Sequence, residues 1–252
     1  MEPVRNHRNK LVVEAARLHR ARFRKERRQT ILEGPNLLAD ALEAGVTLHT
    51  VFSLPTDDAT ASLCSDHGLR PLLIDDGALH RLAGTEEPRG PIAVMDIPGD
   101  SLPFERNVLV SVGVSDPGNV GTLVRTAAAF GWSYAHTAGS ADPWAPKTLR
   151  AGAGGQLQTA VTRLGDFSAL ETWTKVAMVV EGGVTPDEVD GTPLAVLVGE
   201  ESAGLSDEAV ATASWRVSIP MRGSTESLNA AVAAGIVVYE LSKRTGRPPG
   251  QV

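Results

Sequence analysis

Apolar residues follow two kinds of spacing along the chain. In the first thirty residues Leu11, Ala15, Leu18 and Phe23 recur near helical intervals, which predicts a helix in that segment. A short strand over Thr30–Leu32 then meets a Gly-Pro turn, and a helix runs from about Asn36 to Gly45, a favoured helix-ending residue. "LHTVFSL" reads as a strand, Asp58–His67 as a second helix stopped by Gly68, and "RPLLIDD" and "GPIAVMDIP" as two more strands. Alternating strands and helices predict a small α/β domain over residues 1–100, closed by the Pro-rich, polar stretch "PGDSLPFERN".

Residues 106–252 repeat the alternation with different content. "VLVSVGV" is a strand ending at the turn "SDPGN", and "VGTLVRTAAAFG" is a helix closed by Gly131. "YAHTAG" is a short strand, and "KTLRAGAGGQL" a loop running into a Gly-spaced helix. "KVAMVVEG" and "LAVLVGEE" are continuously apolar, as expected of strands buried on both faces in a parallel sheet. "WRVSIPM" is the last strand and "LNAAVAAGIVVYELSKR" the last helix. The expected fold is therefore α/β, with a mainly parallel-sheet C-terminal domain.

Composition narrows the function classes. The 252 residues are 42% apolar, enough for two ordinary domains with real cores, and only 4% aromatic, so packing relies on Ala, Val and Leu. The single cysteine, Cys64, excludes an intramolecular disulfide framework and a cysteine-based metal cluster, and it fits a reducing compartment. No apolar run approaches the roughly 20 residues that span a bilayer, and the basic N-terminus lacks the apolar centre of a signal peptide. The expectation is a soluble, cytoplasmic protein with no membrane partner.

Charge is distributed unevenly. Residues 1–30 hold ten Lys or Arg against three Glu, a local balance of +7 that leaves −13 on the rest of a chain whose net charge is −6. A basic segment on an acidic protein suggests a polyanionic partner such as nucleic acid, with Arg5, Arg8, Lys10, Arg24, Lys25, Arg27 and Arg28 as phosphate contacts. A solvated amphipathic helix that keeps the protein soluble fits the same charges.

Several chemistries are excluded. There is no G-x-S-x-G elbow, and the six histidines show no H-E-x-x-H pair or metal-ligand spacing, so no metal is expected. "GAGGQ" lacks the Lys-Ser/Thr of a phosphate loop, and close helix packing explains its small residues equally well. What remains is three loops at the C-terminal ends of expected parallel strands, "SDPGNVGTLVR", "VGEESAGLS" and "IPMRGSTESLN", where open α/β sheets bind ligands. None offers a cationic cradle for a triphosphate. The ligand they suit is held by backbone hydrogen bonds and apolar contacts.

At these loops the chain resembles the SpoU/TrmH-type RNA 2′-O-ribose methyltransferases, of the superfamily with a deep trefoil knot. "DPGNVGTLVRTAAAFG" is similar to the family's first motif through Asn119 and Arg125. "LVGEESAGLS" is similar to the second through Gly199, Glu201 and Gly204, with Glu200 where the family often shows Asn or Ser. "IPMRGSTESLNAAVAAG" resembles the third through Ile219, Pro220, Ser227, Leu228 and Asn229. "PKTLRAGAGGQL" looks like an intermediate segment, with Lys147 and Arg150, the latter a further RNA contact. "ILEGPNLLADALEAG" and "LAGTEEPRGPIAVMD" resemble the family's N-terminal RNA-binding domain, itself like certain ribosomal proteins; the resemblance leaves out chiefly the basic segment.

The resemblance implies S-adenosylmethionine-dependent 2′-O-methylation of RNA by a homodimer, with 23S ribosomal RNA as the expected substrate. A transfer-RNA substrate and a non-catalytic RNA-binding protein are the alternatives. Backbone at Leu197, Val198, Gly199, Ile219, Met221 and Leu228, with Ser227 and Asn229, would face the cofactor. Arg125 would act on the ribose hydroxyl, with Asn119, Asn229, Ser227 and Glu201 around it. Read alone, Ser227 is a simple helix N-cap.

Overall fold

The computed structural model describes residues 4–103, 105–221, 223 and 227–244, so Arg222, Ser224, Thr225 and Glu226 of the third loop lie outside the described residues. The chain forms two compact units, residues 1–99 with 144–157, and residues 100–143 with 158–252. Residues 144–157 thus group with the first unit although they lie within the stretch 106–252.

The first unit opens with α1 (Lys10–Ala16) and α2 (Ala21–Arg27), separated by a 3-10 turn, Arg17–His19. One helix was expected here. The break comes at Arg20, whose backbone is extended (φ −92°, ψ 128°). Four strands follow, β1 (Gln29–Glu33), β2 (Leu48–Ser53), β3 (Leu72–Leu73) and β4 (Ile92–Asp96), in the order β1-β4-β2-β3. β4 is antiparallel to both β1 and β2, and β3 is parallel to β2. The helices are α3 (Pro35–Glu43), α4 (Asp58–Asp66) and α5 (Asp76–Leu82). Sequence reading missed α5, which Asp75 caps by accepting from the Ala78 amide at 2.7 Å.

The basic segment is not a free arm. Val12, Ala15 and Leu18 are buried in one core with Ile31, Phe52, Leu79 and Ile92. Arg24, expected at a phosphate, is 4% exposed and donates to the carbonyls of Leu18 at 2.8 Å and His19 at 2.9 Å. A cation suits that place because the carbonyls at the end of the turn have no other helical donor.

Arg150 likewise has an internal partner. It lies on α7 (Pro146–Ala151), a helix where a loop was expected, and donates at 2.8 Å to Glu33, whose side chain is only 7% exposed. Glu33 also accepts from the Gly84 amide and the Thr85 hydroxyl, so its charge is compensated on several sides. The short α8 (Gly155–Gln158) then returns the chain to the second unit.

The second unit is built on an all-parallel sheet of β5 (Val108–Ser111), β6 (Ser133–His136), β7 (Val161–Arg163), β8 (Thr174–Met178), β9 (Leu194–Val198) and β10 (Trp215–Val217). Their order is β10-β8-β9-β5-β6-β7. Every residue of β5 and β9 is buried, which explains their unbroken apolar sequences. Between β5 and β6 the Tyr134 hydroxyl donates to Ser111 Oγ at 2.7 Å, and full burial pushes the phenol far above its usual value, so it stays a neutral donor. The helices are α6 (Pro117–Ala129), α9 (Asp207–Thr212) and α10 (Ala230–Arg244). β7 and α9 were not expected from sequence. Among the described residues no helix is long and apolar enough to cross a membrane.

Placing the basic segment in the core has a measurable consequence. Leu18 is 1% exposed. Leu18→Ala is expected to cost about 2–5 kcal/mol, read as a lower urea midpoint for the first unit. A change below about 0.5 kcal/mol would show that the segment is only laid on the surface.

Candidate active site

The parallel sheet brings the ends of β5, β8, β9 and β10 to one edge, and the loops leaving them make the site. α6 begins directly after the β5 loop. Asp116 caps it, accepting from the Asn119 amide at 2.8 Å, and Pro117 occupies the first helical position, where a missing N–H costs nothing.

The β9 loop turns back on itself at once. The Gly204 amide donates to the Glu200 carbonyl at 2.8 Å, and Gly204 is left-handed at φ +68°. Gly199 is buried under that turn. A Cβ there would lie 2.2 Å from the Gly204 carbonyl carbon, a backbone atom, so only glycine fits.

Three loops meet at Asn229, the N-cap of α10. Its Oδ1 accepts from the amides of Ala231 at 3.0 Å and Val232 at 3.1 Å. Its Nδ2 donates to Asn119 Oδ1 at 3.0 Å and to Glu201 Oε1. A side-chain amide has two N–H bonds and two oxygen lone pairs, and all four are used. The partners also fix its orientation: a flipped amide would set NH₂ against backbone N–H and oxygen against a carboxylate. The cap is therefore Asn229 and not Ser227. A second tie joins the same loops, from Ser115 Oγ to Glu200 Oε1 at 2.7 Å.

Beside this cluster lies a cleft of about 270 Å³. Of the residues expected to face a cofactor, Val198, Gly199, Ile219, Met221, Ser227 and Leu228 line it. Leu197 does not; its side chain is buried in the core with Val108, Val110 and Ala195. Asn229 stands at the rim of this set through its tie to Glu201, itself a lining residue. Sequence reading missed Met178, Val179 and Val180, which supply a further wall from the end of β8. It also missed Glu200 and Ser115.

Arg125 stands apart from the asparagines. It is exposed on α6, and among the described residues it has no hydrogen-bond or ion-pair partner. Six residues separate it from Asn119, which on a helix is roughly 120° of rotation and about 9 Å of rise. Of the expected RNA contacts, Arg8, Lys10, Lys25 and Arg28 are exposed. Arg27 is exposed too but lies 3.7 Å from Glu14, and Arg5 is half-buried with its backbone bridged to Ile74.

Residues 106–239 match the SpoU rRNA Methylase family, and residues 9–93 match the MRM3-like substrate binding domain. The chain belongs to the SpoU rRNA methylase family. An uncharacterized tRNA/rRNA methyltransferase of Synechocystis is 32% identical, over 94% of this chain and 92% of that protein. The 23S rRNA (guanosine(2553)-2′-O)-methyltransferase RlmP of Bacillus subtilis is 29% identical, over 96% of this chain and 99% of its own. A crystal structure of an AdoMet-bound rRNA methyltransferase from Sinorhizobium meliloti superposes with TM-score 0.83 at 25% identity, covering 97% of this chain and 99% of that one. The substrate-binding match takes in most of the basic segment, which the sequence resemblance had left outside.

In this SpoU methylase the loops holding Asn119, Glu201 and Asn229 share one amide, so changing that amide tests the arrangement. Asn and Asp cap helices equally well, but Asn229→Asp sets a second carboxylate against Glu201. The expected result is a nearly unchanged denaturation midpoint with hydrogen exchange in residues 199–204 accelerated several-fold. Asn229→Ala, which also loses the cap, is expected to lower stability by about 1 kcal/mol. Wild-type exchange in Asn229→Asp would show that the amide does not hold the loop.

Proposed function

We propose that this RNA 2′-O-ribose methyltransferase binds S-adenosylmethionine in the cleft beside Asn229 and methylates 23S ribosomal RNA. The observation that carries this reading is the single cluster joining the first, second and third motif loops around that cleft. The residues present suit the cofactor. Val180, Ile219, Met221 and Leu228 offer apolar surface for an adenosine, and the carboxylates at the wall suit a cation. The 23S assignment draws on the Bacillus subtilis relative, and the cofactor on the AdoMet-bound Sinorhizobium structure.

Bound there, S-adenosylmethionine supplies an electrophilic methyl group on a sulfonium. Alignment of that methyl with the ribose oxygen is then the largest task left to the protein. Asn119 and Asn229 fix the ribose side of the site, and Glu201 holds Asn229 in place. Arg125 orients the 2′-hydroxyl and the adjacent phosphate and stabilises negative charge developing on oxygen. A guanidinium stays protonated, so it acts as an electrostatic group and not as a base; as the O–CH3 bond forms and the S–CH3 bond breaks, the hydroxyl proton leaves to solvent. Residues 1–100 form the RNA substrate-binding domain, like certain ribosomal proteins, and residues 106–252 the methyltransferase domain, apart from residues 144–157, which group with the first unit.

The active unit is a homodimer. α10 buries Ala231, Ala234, Val237, Val238 and Leu241 but leaves Val232, Ile236 and Tyr239 exposed at 52%, 39% and 50%. These recur at helical spacing and make a second apolar stripe, with Phe130 edge-on to Tyr239. A deep trefoil knot precedes that helix. Supporting the threading, the Val179 amide donates to Val217 and the Val184 amide to Arg216, while the Ser218 amide donates back to Val184.

Two experiments test the reading. Arg125→Ala is expected to keep S-adenosylmethionine affinity within a few-fold by titration calorimetry. It should lower single-turnover methyl transfer to a 23S fragment by roughly 10²–10³. Arg125→Lys should rescue poorly, since one ammonium cannot reproduce the planar fork. A normal rate in Arg125→Ala would overturn the role. Ile236→Asp is expected to convert a dimeric mass in light scattering to a monomeric one; a wild-type monomer at full activity would remove the dimer.

A further inference from the structure

We infer that Glu200 is a charge-selecting residue of the cleft, favouring a cationic occupant over a neutral one of the same shape. The methyl donor carries a sulfonium. Its demethylated product has a neutral thioether in the same place. A negative wall therefore holds the donor in preference to the product and lowers product retention. The inference rests on the proposed identity of the cleft as the S-adenosylmethionine site.

Glu200 lines the cleft and is half-buried. Its carboxylate accepts from the Ser115 hydroxyl at 2.7 Å, a neutral donor that aims the group without cancelling its charge. Glu201, next along the wall, accepts from the equally neutral Asn229 amide. Among the described residues neither carboxylate has an ion-pair partner, and none of the lining residues is Lys, Arg or His. Much of the remaining lining is aliphatic, as at Val180, Ile219 and Leu228. Apolar walls lower the local dielectric and strengthen the attraction for a cation.

Ser115 is the positioning residue. It precedes the Asp116 cap of α6, so the direction of the Glu200 carboxylate is set by the start of the helix that carries Asn119 and Arg125.

The experiment is titration calorimetry on the full chain with three probes. They are S-adenosylmethionine, sinefungin, which carries a protonated amine in place of the sulfonium, and S-adenosylhomocysteine, which is neutral there. Wild type is expected to bind both cations more tightly than the neutral compound. Glu200→Gln, which keeps shape and hydrogen bonding, should lose roughly tenfold of that preference for both cations while S-adenosylhomocysteine changes less than about twofold. Glu200→Asp should retain most of the preference, and Ser115→Ala should lose part of it. If Glu200→Gln weakens all three ligands equally, or leaves all three unchanged, the residue is structural and the inference fails. A wild-type protein that binds none of the three overturns the cofactor reading of the cleft and this inference with it.

Discussion

One side-chain amide carries the site. Asn229 caps a helix with its oxygen and ties two other loops with its nitrogen, and it has no hydrogen-bonding capacity left over. Asn119 and Glu201 lie far from it in sequence, on α6 and on the loop after β9. Bringing them to one point requires that α6 and α10 start at the same edge of the sheet and that the β9 loop bend sharply. The bend exists because Gly199 has no Cβ to strike the backbone at Gly204. The cap and the bend together define where the cleft can be. Loss of either moves loop backbone, so effects at this site should spread across all three motifs rather than stay with one residue.

Positive charge is concentrated in the first thirty residues, but internal contacts limit what the basic segment can do for RNA. Ten cations in the first thirty residues suggest a steep salt dependence of binding. Several of them are already occupied. Arg24 satisfies buried carbonyls, Arg27 lies near Glu14, and Arg17 sits 5.5 Å over the Phe23 ring. Each phosphate contact releases a counterion only if the cation is free to make it. The count of available charges is therefore smaller than the composition suggests.

How legible was all this? The buried parallel strands were readable, because β5 and β9 are covered on both faces and have no polar positions to confuse the pattern. The elements missed were short: α5 and α9 have seven and six residues and β7 has three, too few to establish a period. In the N-terminal segment Ala15 and Leu18 are buried and Phe23 packs against the same core, as their spacing predicts, but Val12 and not Leu11 completes the face, three residues before Ala15 rather than four. α7 read as a loop because Pro146 and Gly152 frame only six residues, although proline is well placed at a helix start. At the site, the three motifs named most of the cleft. They could not name Met178–Val180, since nothing in the linear sequence says that β8 lies between β9 and β10.

The position of Arg125 now has a physical reason. A cation in contact with Asn119 and Glu201 would pair with the carboxylate, and its donors would be spent before substrate arrived. α6 avoids this by rotation: six residues on from Asn119, the side chain leaves the helix about a third of a turn away. With a neutral Asn229 taking the Glu201 carboxylate, the arginine's five N–H groups have no partner among the described residues. The asparagine network and the isolated arginine are thus two halves of one arrangement. The network spends its hydrogen bonds on fixing geometry, and among the described residues the arginine spends none.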